Sequence, residues 1–488
     1  MEYFTTLLLL LSIIILTILL STKLFTKSNL PPGPKPWPII GNILELGKLP
    51  HQAVDKLSKT YGPILSLKLG SITTIVISSP EIVKEMFLEH DLALSSRPSP
   101  DASRVGNHNK FSIVWLPVSP KWRDLRKIAT IQLFTTQRLD SSQELRQIKV
   151  NELVDYVRQC CEKGLPVDVG KAGFTTTLNM LSNTFFSMDL ASHASSNSQE
   201  FKDLVWSLLE EGAKPNVSDF FPIVRELDLQ GVSKNRRVHM KKLMGIFEEI
   251  IDGRLTKLKD VKDDVLSTLL KLVKDEELNL DDVKHMLMDL FLAGTDTTSI
   301  TLEWAMTELL RNPEKMEKVQ IELDKVLGKD SSLQESMISK LPYIQAIVKE
   351  TLRLHPPTPF LIPHKAEKDV LLCNYLVPKN SIIWVNLWSI ARSPSVWPNP
   401  ESFSPERFLE MEIDIKGRDF KLIPFGSGRR MCPGMPLAYR MTHMLLATLL
   451  HSFNWKYGEA SPKDIDMKEK FGLTLQKAQP LQAIPIPR

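Results

Sequence analysis

The sequence has few cysteines and no linker. Only four cysteines occur in 488 residues, and two of them, Cys160 and Cys161, are adjacent. This pattern excludes a disulfide framework and favours a reducing compartment. No Gly/Ser-rich linker or internal repeat interrupts the chain, which predicts one large domain with a tail. The net charge is only +4, and no basic stripe with interleaved aromatic residues occurs, so we expect no nucleic-acid partner. A nucleotide-binding glycine fingerprint is also missing, which excludes a built-in flavin or nicotinamide domain.

The N-terminus is apolar over a length that suits a membrane span. From Tyr3 to Leu20 there are eighteen residues without a charge, about enough to cross a bilayer as a helix. A cleavable signal peptide is the alternative, but it requires a basic start and a small-residue cleavage site. Here Glu2 precedes the apolar run, and Lys23 and Lys27 follow it. We therefore predict an uncleaved anchor over residues 1–22, with the rest of the chain on the cytoplasmic side.

A basic, proline-rich segment over residues 23–38 follows the predicted anchor. Five prolines stand between Pro31 and Pro38, and such a run cannot continue a helix and favours an extended spacer. We predict a hinge here and a single folded domain over residues 39–488.

The folded part is predicted to be mainly α with small β-sheets. Two β-branched runs, Ile64–Leu69 and Ile72–Ile77, flank Gly70-Ser71 and indicate a hairpin. Residues 140–275 alternate amphipathic helices with polar loops. Residues 281–312, stopped by Pro313, predict one helix of about 48 Å.

The most informative stretch is Phe-Gly-Ser-Gly-Arg-Arg-Met-Cys-Pro-Gly, residues 425–434. Its glycines let a backbone pass close to a flat ligand. Two arginines and a following helix N-terminus place positive charge near Cys432, which favours a thiolate, and a thiolate is a metal ligand. A glycine-rich loop with a chance buried cysteine is the alternative interpretation.

The spacing Phe-x-x-Gly-x-Arg-x-Cys-x-Gly resembles the haem-thiolate signature of the cytochrome P450 superfamily, and the resemblance covers nearly the whole chain. It implies that Cys432 is the axial ligand to the iron of haem b, and that Arg430 pairs with a haem propionate. A thiolate ligand favours cleavage of the O–O bond of bound oxygen. The other motif positions are held by Phe425, Gly428 and Gly434.

The resemblance implies further cofactor contacts elsewhere in the chain. Trp122 and Arg126 stand four apart, on one face of a predicted helix, and are expected to reach the propionates. His364 stands where many relatives carry arginine, so its contact with a propionate is left open. Three basic residues around the helix are expected to face an electron donor: Lys121, Arg123 and Lys127.

The string Ala-Gly-Thr-Asp-Thr-Thr, residues 293–298, lies within the predicted long helix. A glycine and clustered hydroxyls are poor helix formers, which predicts a local kink with room for a small molecule. A capped helix junction is the alternative. The string resembles the family's oxygen-activation motif, which implies that Asp296 and Thr297 deliver protons to dioxygen.

Glu350 and Arg353 stand at i and i+3 on another predicted helix. Most such pairs are exposed and weak. The resemblance implies that this one is buried, is joined by Arg407, and acts as a structural lock rather than in catalysis.

Apolar residues at separate places in the chain are candidates to line a substrate cavity, although core packing is the default explanation for several of them. They contain no Arg or Lys, which predicts a small hydrophobic substrate. The candidates are Phe111, Trp115, Phe291, Ala293, Thr358, Phe360, Leu361 and Leu473.

Together these features imply a haem-dependent monooxygenase similar to the plant terpenoid-hydroxylating branch. We expect it to insert one oxygen atom from O2 into a C–H bond of a small terpenoid, such as the monoterpene alcohol geraniol. Electrons are expected from NADPH through NADPH–cytochrome P450 reductase, at the endoplasmic reticulum membrane. The alternatives are a diterpenoid oxidase or phenolic hydroxylase of the same fold, a haem-thiolate isomerase or dehydratase, and a non-enzymatic haem sensor.

Overall fold

The protein folds into a mainly helical domain with small sheets at one side. The computed structural model describes residues 29–193, 199–256, 264–328, 333–458 and 461–488. Its α-helices are α1 Ile43–Leu46, α2 Pro50–Tyr61, α3 Pro80–Glu89, α4 Asp91–Leu94, α5 Asp101–Arg104, α6 Pro120–Ile128, α7 Thr136–Ser141, α8 Gln143–Glu162, α9 Val169–Phe186, α10 Gln199–Ala213, α11 Val217–Phe220, α12 Val232–Thr256, α13 Val265–Lys274, α14 Leu280–Arg311, α15 Pro313–Leu327, α16 Pro342–Leu354, α17 Leu387–Ala391, α18 Arg407–Glu410 and α19 Met435–Ser452. The predicted fold class is confirmed.

In the part of the chain that the structure describes, the strands are short and form four small sheets. They are β1 Ile64–Leu69, β2 Ile72–Ile77, β3 Val167–Asp168, β4 His364–Lys365, β5 Val370–Leu372, β6 Tyr375–Val377, β7 Ile382–Val385, β8 Phe453–Lys456, β9 Glu469–Phe471, β10 Leu475–Lys477 and β11 Gln482–Pro487. The largest sheet has the order β1-β2-β7-β4, in which β2 and β7 are parallel. The predicted hairpin is confirmed, because β1 pairs antiparallel with β2 across Gly70-Ser71.

The long helix α14 runs through the core, one residue earlier at each end than predicted. It begins with a capping box between Asn279 and Asp282. Within it, Thr297 Oγ1 donates to Ala293 O at 2.9 Å, and neighbouring hydroxyls do the same to their own i−4 carbonyls. The hydroxyls thus bond to the backbone as expected, but the helix runs unbroken from residue 280 to 311.

The proline-rich segment is packed against the first sheet over the part that the structure describes. Ser66 donates from its N–H to Pro32 O at 2.9 Å and from its Oγ to Pro31 O at 2.7 Å. A Cβ on Gly33 would lie 2.0 Å from Ser66 O, so only glycine allows this approach. Residues 29–38 are therefore held on the domain surface.

The predicted anchor, residues 1–22, lies outside the described residues and stays a prediction. Where the structure does describe the chain, none of its helices has both the length and the hydropathy that a bilayer span requires.

Candidate active site

A cavity lies between the loop that carries Cys432 and helix α14. The loop is shaped by Gly426 and Gly428, with φ of 73° and 63°, conformations that favour glycine. Cys432 N donates to Phe425 O at 2.8 Å, which folds the loop back on itself. As a result Cys432, Phe425 and Gly434 line the cavity, while Gly428 packs beside Asp91.

The environment of Cys432 differs from the predicted one. Burial raises the pKa of the Cys432 thiol, and this effect outweighs the opposing effects of the Gly434 N–H, of Arg126 and of the Met435 N–H. Arg429, 2.6 Å from Asp91, is committed to an ion pair. The arginine that acts on the sulfur is therefore Arg126, from α6, rather than the two in the loop. A bound cation would stabilise the thiolate that burial disfavours, so the sulfur suits a metal ligand.

Three arginines line the cavity: Arg97, Arg126 and Arg430. None of them forms an ion pair with any residue that the structure describes. Burial lowers the pKa of Arg97, and the charges of Arg430 and Arg126 lower it further. Burial and the charge of Arg126 lower the pKa of Arg430 to about 10. The Nε of Arg97 has no hydrogen-bond partner among the described residues. Arg97 and Arg430 are buried and Arg126 is half-buried. Cations held in this way without a counter-ion favour a bound anion, and the two propionates of haem b fit this requirement.

Arg97 was not among the predicted cofactor residues. It follows α4 in an extended segment and reaches the cavity beside Ile362 and Pro363, to whose carbonyls its Nη1 donates, the second at 2.9 Å. No helical spacing or motif position marks it in the sequence. Only the approach of residues 97 and 362–364 in the fold brings this charge to the site.

The segment Ser112–Leu116 connects Arg430 with the wall of the cavity. Arg430 donates from Nη1 to Ile113 O at 3.3 Å and from Nη2 to Leu116 O at 2.5 Å. Trp122 donates to the same Ile113 oxygen at 3.0 Å, and its ring lies 4.3 Å from the Arg430 guanidinium. Trp122 does not line the cavity in this structure and supports Arg430, so its contact with a propionate stays a prediction.

His364 lies in the wall of the cavity, beside Arg97. Its Nδ1 donates to Leu94 O at 2.8 Å. Burial lowers the pKa of His364 well below its usual value, and Arg97 lowers it further. The His364 imidazole is therefore neutral and adds no positive charge to the wall, where Arg97 supplies the charge.

Helix α14 forms the wall opposite Cys432. The side chains of Ala293, Thr297, Thr298 and Thr301 line the cavity, together with Gly294. A glycine at position 294 also fits the packing, since a Cβ there would lie 2.9 Å from the Leu181 side chain. Thr297 therefore lines the cavity, and its part in oxygen activation stays a prediction.

Asp296 lies on another face of the same helix. Its carboxylate accepts hydrogen bonds from the Thr474 hydroxyl and, at 3.3 Å, from Gln476 Nε2. Thr474 directly precedes β10, and Gln476 lies within it. Burial raises the pKa of Asp296 to about 6, although these bonds oppose the shift. In this conformation Asp296 does not line the cavity. Thr474 and Gln476, which hold it, were missed because nothing in their sequence context points to α14.

The predicted substrate residues divide into two groups. Ala293, Thr358 and Leu361 line the cavity. The other five do not line it in this structure, and their contact with substrate stays a prediction: Phe111, Trp115, Phe291, Phe360 and Leu473. Six further residues line the cavity that were not among the predicted substrate residues, and we call them the far wall: Ile113, Val114, Leu181, Phe185, Asp289 and Leu290.

Three of these five residues are phenylalanines that pack against other aromatic rings. Phe291 is fully buried against Phe185, at a ring separation of 5.3 Å, inside the helical core. Phe360 stacks on Trp384 at 4.7 Å. Phe111 stacks on His285 at 4.9 Å.

The two remaining residues lie outside the cavity as well. Trp115 is half-buried, and its backbone N–H donates to Ser112 Oγ at 3.3 Å. Leu473 is 42% exposed.

The basic surface predicted on α6 is smaller than expected. Lys121 lies 2.7 Å from Asp282 and 4.0 Å from the centre of the Phe111 ring, so it is committed to the end of α14. Arg123 and Lys127 are exposed, one helical turn apart.

The pair Glu350 and Arg353 on α16 is fully buried. Arg353 donates to both Glu350 oxygens at 2.7 and 2.8 Å, and Arg407 Nε donates to Glu350 Oε1 at 3.1 Å. The Ser404 N–H donates to the same oxygen at 2.8 Å. The remaining guanidinium protons reach backbone carbonyls of residues 391–402. This geometry fits a structural lock.

A comparison with protein families matches "Cytochrome P450" over residues 31–482. The chain belongs to the cytochrome P450 family. Curated relatives cover almost its full length. The cytochrome P450 monooxygenase 76AD131 of Lophophora williamsii is 58% identical over 96% of this chain and 95% of its own length. Geraniol 8-hydroxylase of Catharanthus roseus is 50% identical over 97% and 98%. Drimenol monooxygenase of Persicaria hydropiper is 44% identical over 98% and 96%.

This P450 is therefore a monooxygenase of the plant terpenoid-hydroxylating branch. Family membership implies a haem iron bound by a cysteine thiolate. The site fits that cofactor on two independent grounds, the cysteine that lines the cavity and the three arginines that form no ion pair with any described residue.

Proposed function

We propose that this P450 hydroxylates a monoterpene alcohol such as geraniol, at an allylic methyl far from the existing hydroxyl. One oxygen atom of O2 enters the C–H bond and the second leaves as water. The observation that carries the proposal is the apolar lining that residues 113–114, 181, 185 and 289–290 give the cavity, where five of six residues are apolar. The 50% identity to geraniol 8-hydroxylase over 97% of the chain supports it. A pocket with mainly apolar walls and few polar groups suits a small hydrophobic molecule.

The residues of the site divide the work as follows. When bound, haem with a thiolate ligand supplies the oxidation chemistry. Cys432 would provide the thiolate, and Arg97, Arg126 and Arg430 would hold the propionates by charge-assisted hydrogen bonds. Thr297 places its hydroxyl at the cavity, where the oxygen can accept a hydrogen bond while its own proton is donated to Ala293 O at 2.9 Å. The apolar wall excludes water and orients the chain of the substrate.

Asp296 acts behind the helix in this proposal. Its pKa of about 6 allows it to gain and lose a proton near neutral pH. Because Thr474 and Gln476 hold its carboxylate away from the cavity, we assign to Asp296 the storage of a proton on another face of α14 and to Thr297 the hydroxyl oxygen that meets the cavity.

Electrons are proposed to come from NADPH through NADPH–cytochrome P450 reductase. The exposed Arg123 and Lys127 on α6 support an acidic partner there, since α6 also carries Arg126 to the sulfur of Cys432.

We further propose that the protein is held at the endoplasmic reticulum membrane by residues 1–22, with the catalytic domain, residues 39–488, in the cytosol. One edge of the domain exposes large apolar side chains: Trp37, Ile39, Leu44, Ile223, Leu227 and Leu229. These side chains come from two segments, residues 37–44 and 223–229, which approach each other at the β1–β2 turn. There Ser71 N donates to Phe220 O at 2.9 Å and Gly70 N donates to Ile40 O at 3.1 Å. An apolar edge next to the start of the described chain supports contact with a lipid surface.

The substrate proposal is tested by product analysis. The purified holoenzyme, reductase and NADPH are incubated with geraniol, a diterpene and a simple phenolic in parallel, and the products are identified by mass spectrometry. We expect a hydroxylated geraniol that requires both NADPH and reductase. Clean oxidation of the diterpene or phenolic without any monoterpenol product would overturn the substrate assignment and leave the monooxygenase in place.

The membrane proposal is tested by fractionation. Deletion of residues 1–22 should release most of the protein from the membrane fraction without loss of haem. Substitution of Ile223, which is 94% exposed, by Asp in the deleted form should release the rest. A full-length protein that fractionates as soluble would overturn the proposal.

A further inference from the structure

A buried lysine lies between helices α9 and α10, outside the cavity. Lys202 on α10 is 8% exposed and forms no ion pair with any residue that the structure describes. Its Nζ donates to Thr175 Oγ1 on α9 at 3.0 Å. Thr175 gives its own proton to Lys171 O at 3.0 Å, so its oxygen serves the lysine as an acceptor. An ammonium group buried without a counter-ion is costly.

The charged groups near Lys202 do not compensate this cost. Burial lowers the pKa of Lys202 to about 8, and the charge of Lys171 lowers it further. The charges of Asp203 and Asp168 oppose these effects without cancelling them. About a quarter of the amine is then neutral at pH 7.5, compared with about a thousandth for an ordinary lysine.

A neutral imidazole belongs to the same cluster. Burial lowers the pKa of His193 to about 4, and the charge of Lys202 lowers it further. The Nε2 atom of His193 lies 3.3 Å from Thr176 Oγ1, whose proton goes to Ala172 O at 2.9 Å. The imidazole proton is therefore on Nε2. The ring stacks on Tyr156 of α8 at 4.7 Å, which fixes its orientation and leaves the cluster without an anionic partner for the lysine.

Lys149 on α8 shows what keeps a buried lysine charged. It is 6% exposed, but its Nζ lies 2.7 Å from Glu152 and 2.8 Å from Asp189. Burial lowers the pKa of Lys149, but the hydrogen bonds to Asp189 and Glu152 outweigh burial, so the pKa is raised. Two lysines of similar burial thus differ in their carboxylate partners. The amine without such a partner is the better nucleophile at neutral pH, because its lone pair is free more often.

We infer that Lys202 is a modification site, at which the amine accepts a short acyl group from a thioester. The nitrogen attacks the carbonyl carbon, a C–N bond forms and the C–S bond breaks. The proton that the nitrogen loses ends on the sulfur of the leaving thiol. The product is a neutral amide, so the reaction removes a charge that burial disfavours. Lys202 does not line the cavity, so this site is independent of the proposed oxidation.

The surroundings of the amine favour a neutral and short adduct. Thr175 and Thr176 both give their hydroxyl protons to backbone carbonyls, so neither hydroxyl is a donor for an anionic adduct. The centre of the Phe174 ring lies 5.9 Å from Nζ, and the side chain is almost fully buried. An acetyl group suits this environment better than a long or charged chain.

The test is acylation of the folded holoenzyme by S-acetyl-N-acetylcysteamine, a small acetyl thioester, between about pH 6 and pH 10. Peptide mass spectrometry follows the rate at each lysine, and the carbon-monoxide band of the haem reports that the fold is retained. We expect the rate at Lys202 to level off above about pH 8, whereas the rate at Lys149 should still rise at about pH 10. At pH 7.5 Lys202 should react at least about tenfold faster than Lys149.

Thr175→Asp is the matched variant. It replaces the hydroxyl acceptor of Lys202 by a carboxylate, so the pH at which the rate levels off should move upward. An unchanged profile in this variant would show that the missing counter-ion does not control the amine, and would overturn the inference.

Two outcomes on the wild-type protein would also overturn it, and they need no variant. One is acetylation of the exposed Lys171 while Lys202 stays unmodified, because the amine is then closed to the thioester. The other is a pH profile at Lys202 that follows the profile at Lys149.

Discussion

The buried network around Glu350 allows a quantitative test of how much one buried ion pair contributes to the free energy of unfolding. Glu350 and Arg353 are fully buried, and Arg407 is 7% exposed at its side chain. Glu350→Gln keeps the shape of the side chain but removes its negative charge. Two buried guanidinium groups then share no counter-ion. Breaking a buried ion pair by removing one partner costs about 3–5 kcal/mol, a large part of the total stability of a domain.

The chain offers a control with the same spacing at the surface. Asp155 and Arg158 also stand at i and i+3 on a helix, 2.6 Å apart, but their side chains are 62% and 55% exposed. Solvent screens such a pair, and its loss costs about 0–1 kcal/mol. Asp155→Asn should therefore be nearly neutral although it makes the same chemical change as Glu350→Gln.

Urea unfolding of both variants, followed by far-ultraviolet circular dichroism and by the haem absorption band, measures the difference. We expect Glu350→Gln to lower the free energy of unfolding by about 3–5 kcal/mol and to lower the haem content of the purified protein. A loss within about 1 kcal/mol of that of Asp155→Asn would show that burial does not amplify this interaction, and the structural role assigned to Glu350 would be wrong.

Four further outcomes follow from the site. Cys432→Ser should abolish the red-shifted carbon-monoxide band of thiolate-bound ferrous haem, and retention of that band would remove Cys432 as the ligand. Thr297→Ala should lower the ratio of product to NADPH consumed, with little change in substrate affinity; an unchanged ratio would leave Thr297 no part in proton delivery. Burial raises the pKa of Asp296 from 3.8 to about 6, so the folded state binds this proton more tightly, and the stability it contributes is present below about pH 4 and lost as the pH rises through about 6. Asp296→Asn should remove that loss, so its unfolding free energy relative to wild type should rise by up to about 3 kcal/mol between about pH 4 and pH 7; parallel pH curves would contradict this. Val114→Phe, in the cavity wall, should change the product pattern, whereas Leu473→Phe, outside it, should not, and the reverse result would contradict the assignment of the wall.

Features written in consecutive residues were predictable from the sequence. Gly70-Ser71 between two β-branched runs dictates a tight hairpin, since few residues suit such a turn. Pro313 and the residues before it fix the end of α14. The Cys432 motif is equally local, because its glycines, its cysteine and the following helix start stand next to each other in the chain.

Contacts between distant segments were decided by the tertiary structure. Arg97 joins Arg126 and Arg430 at the cavity although hundreds of residues separate the first from the last. The sequence carries no signal for this charge cluster, because each arginine lies in a different local context. The hydrogen bonds that Asp289 accepts from Ser112 and Ile113 likewise depend on the approach of that segment to α14.

Helix faces mark the boundary between the two kinds of information. The sequence identifies α14 and its motif, but successive residues point about 100° apart around a helix. Thr297 therefore faces the cavity while Asp296 faces Thr474, and Leu290 lines the far wall while Phe291 packs in the core. Apolar or polar character shows that each side chain needs a suitable neighbour. Which neighbour it meets depends on the elements that pack around the helix, and the tertiary structure alone decides that.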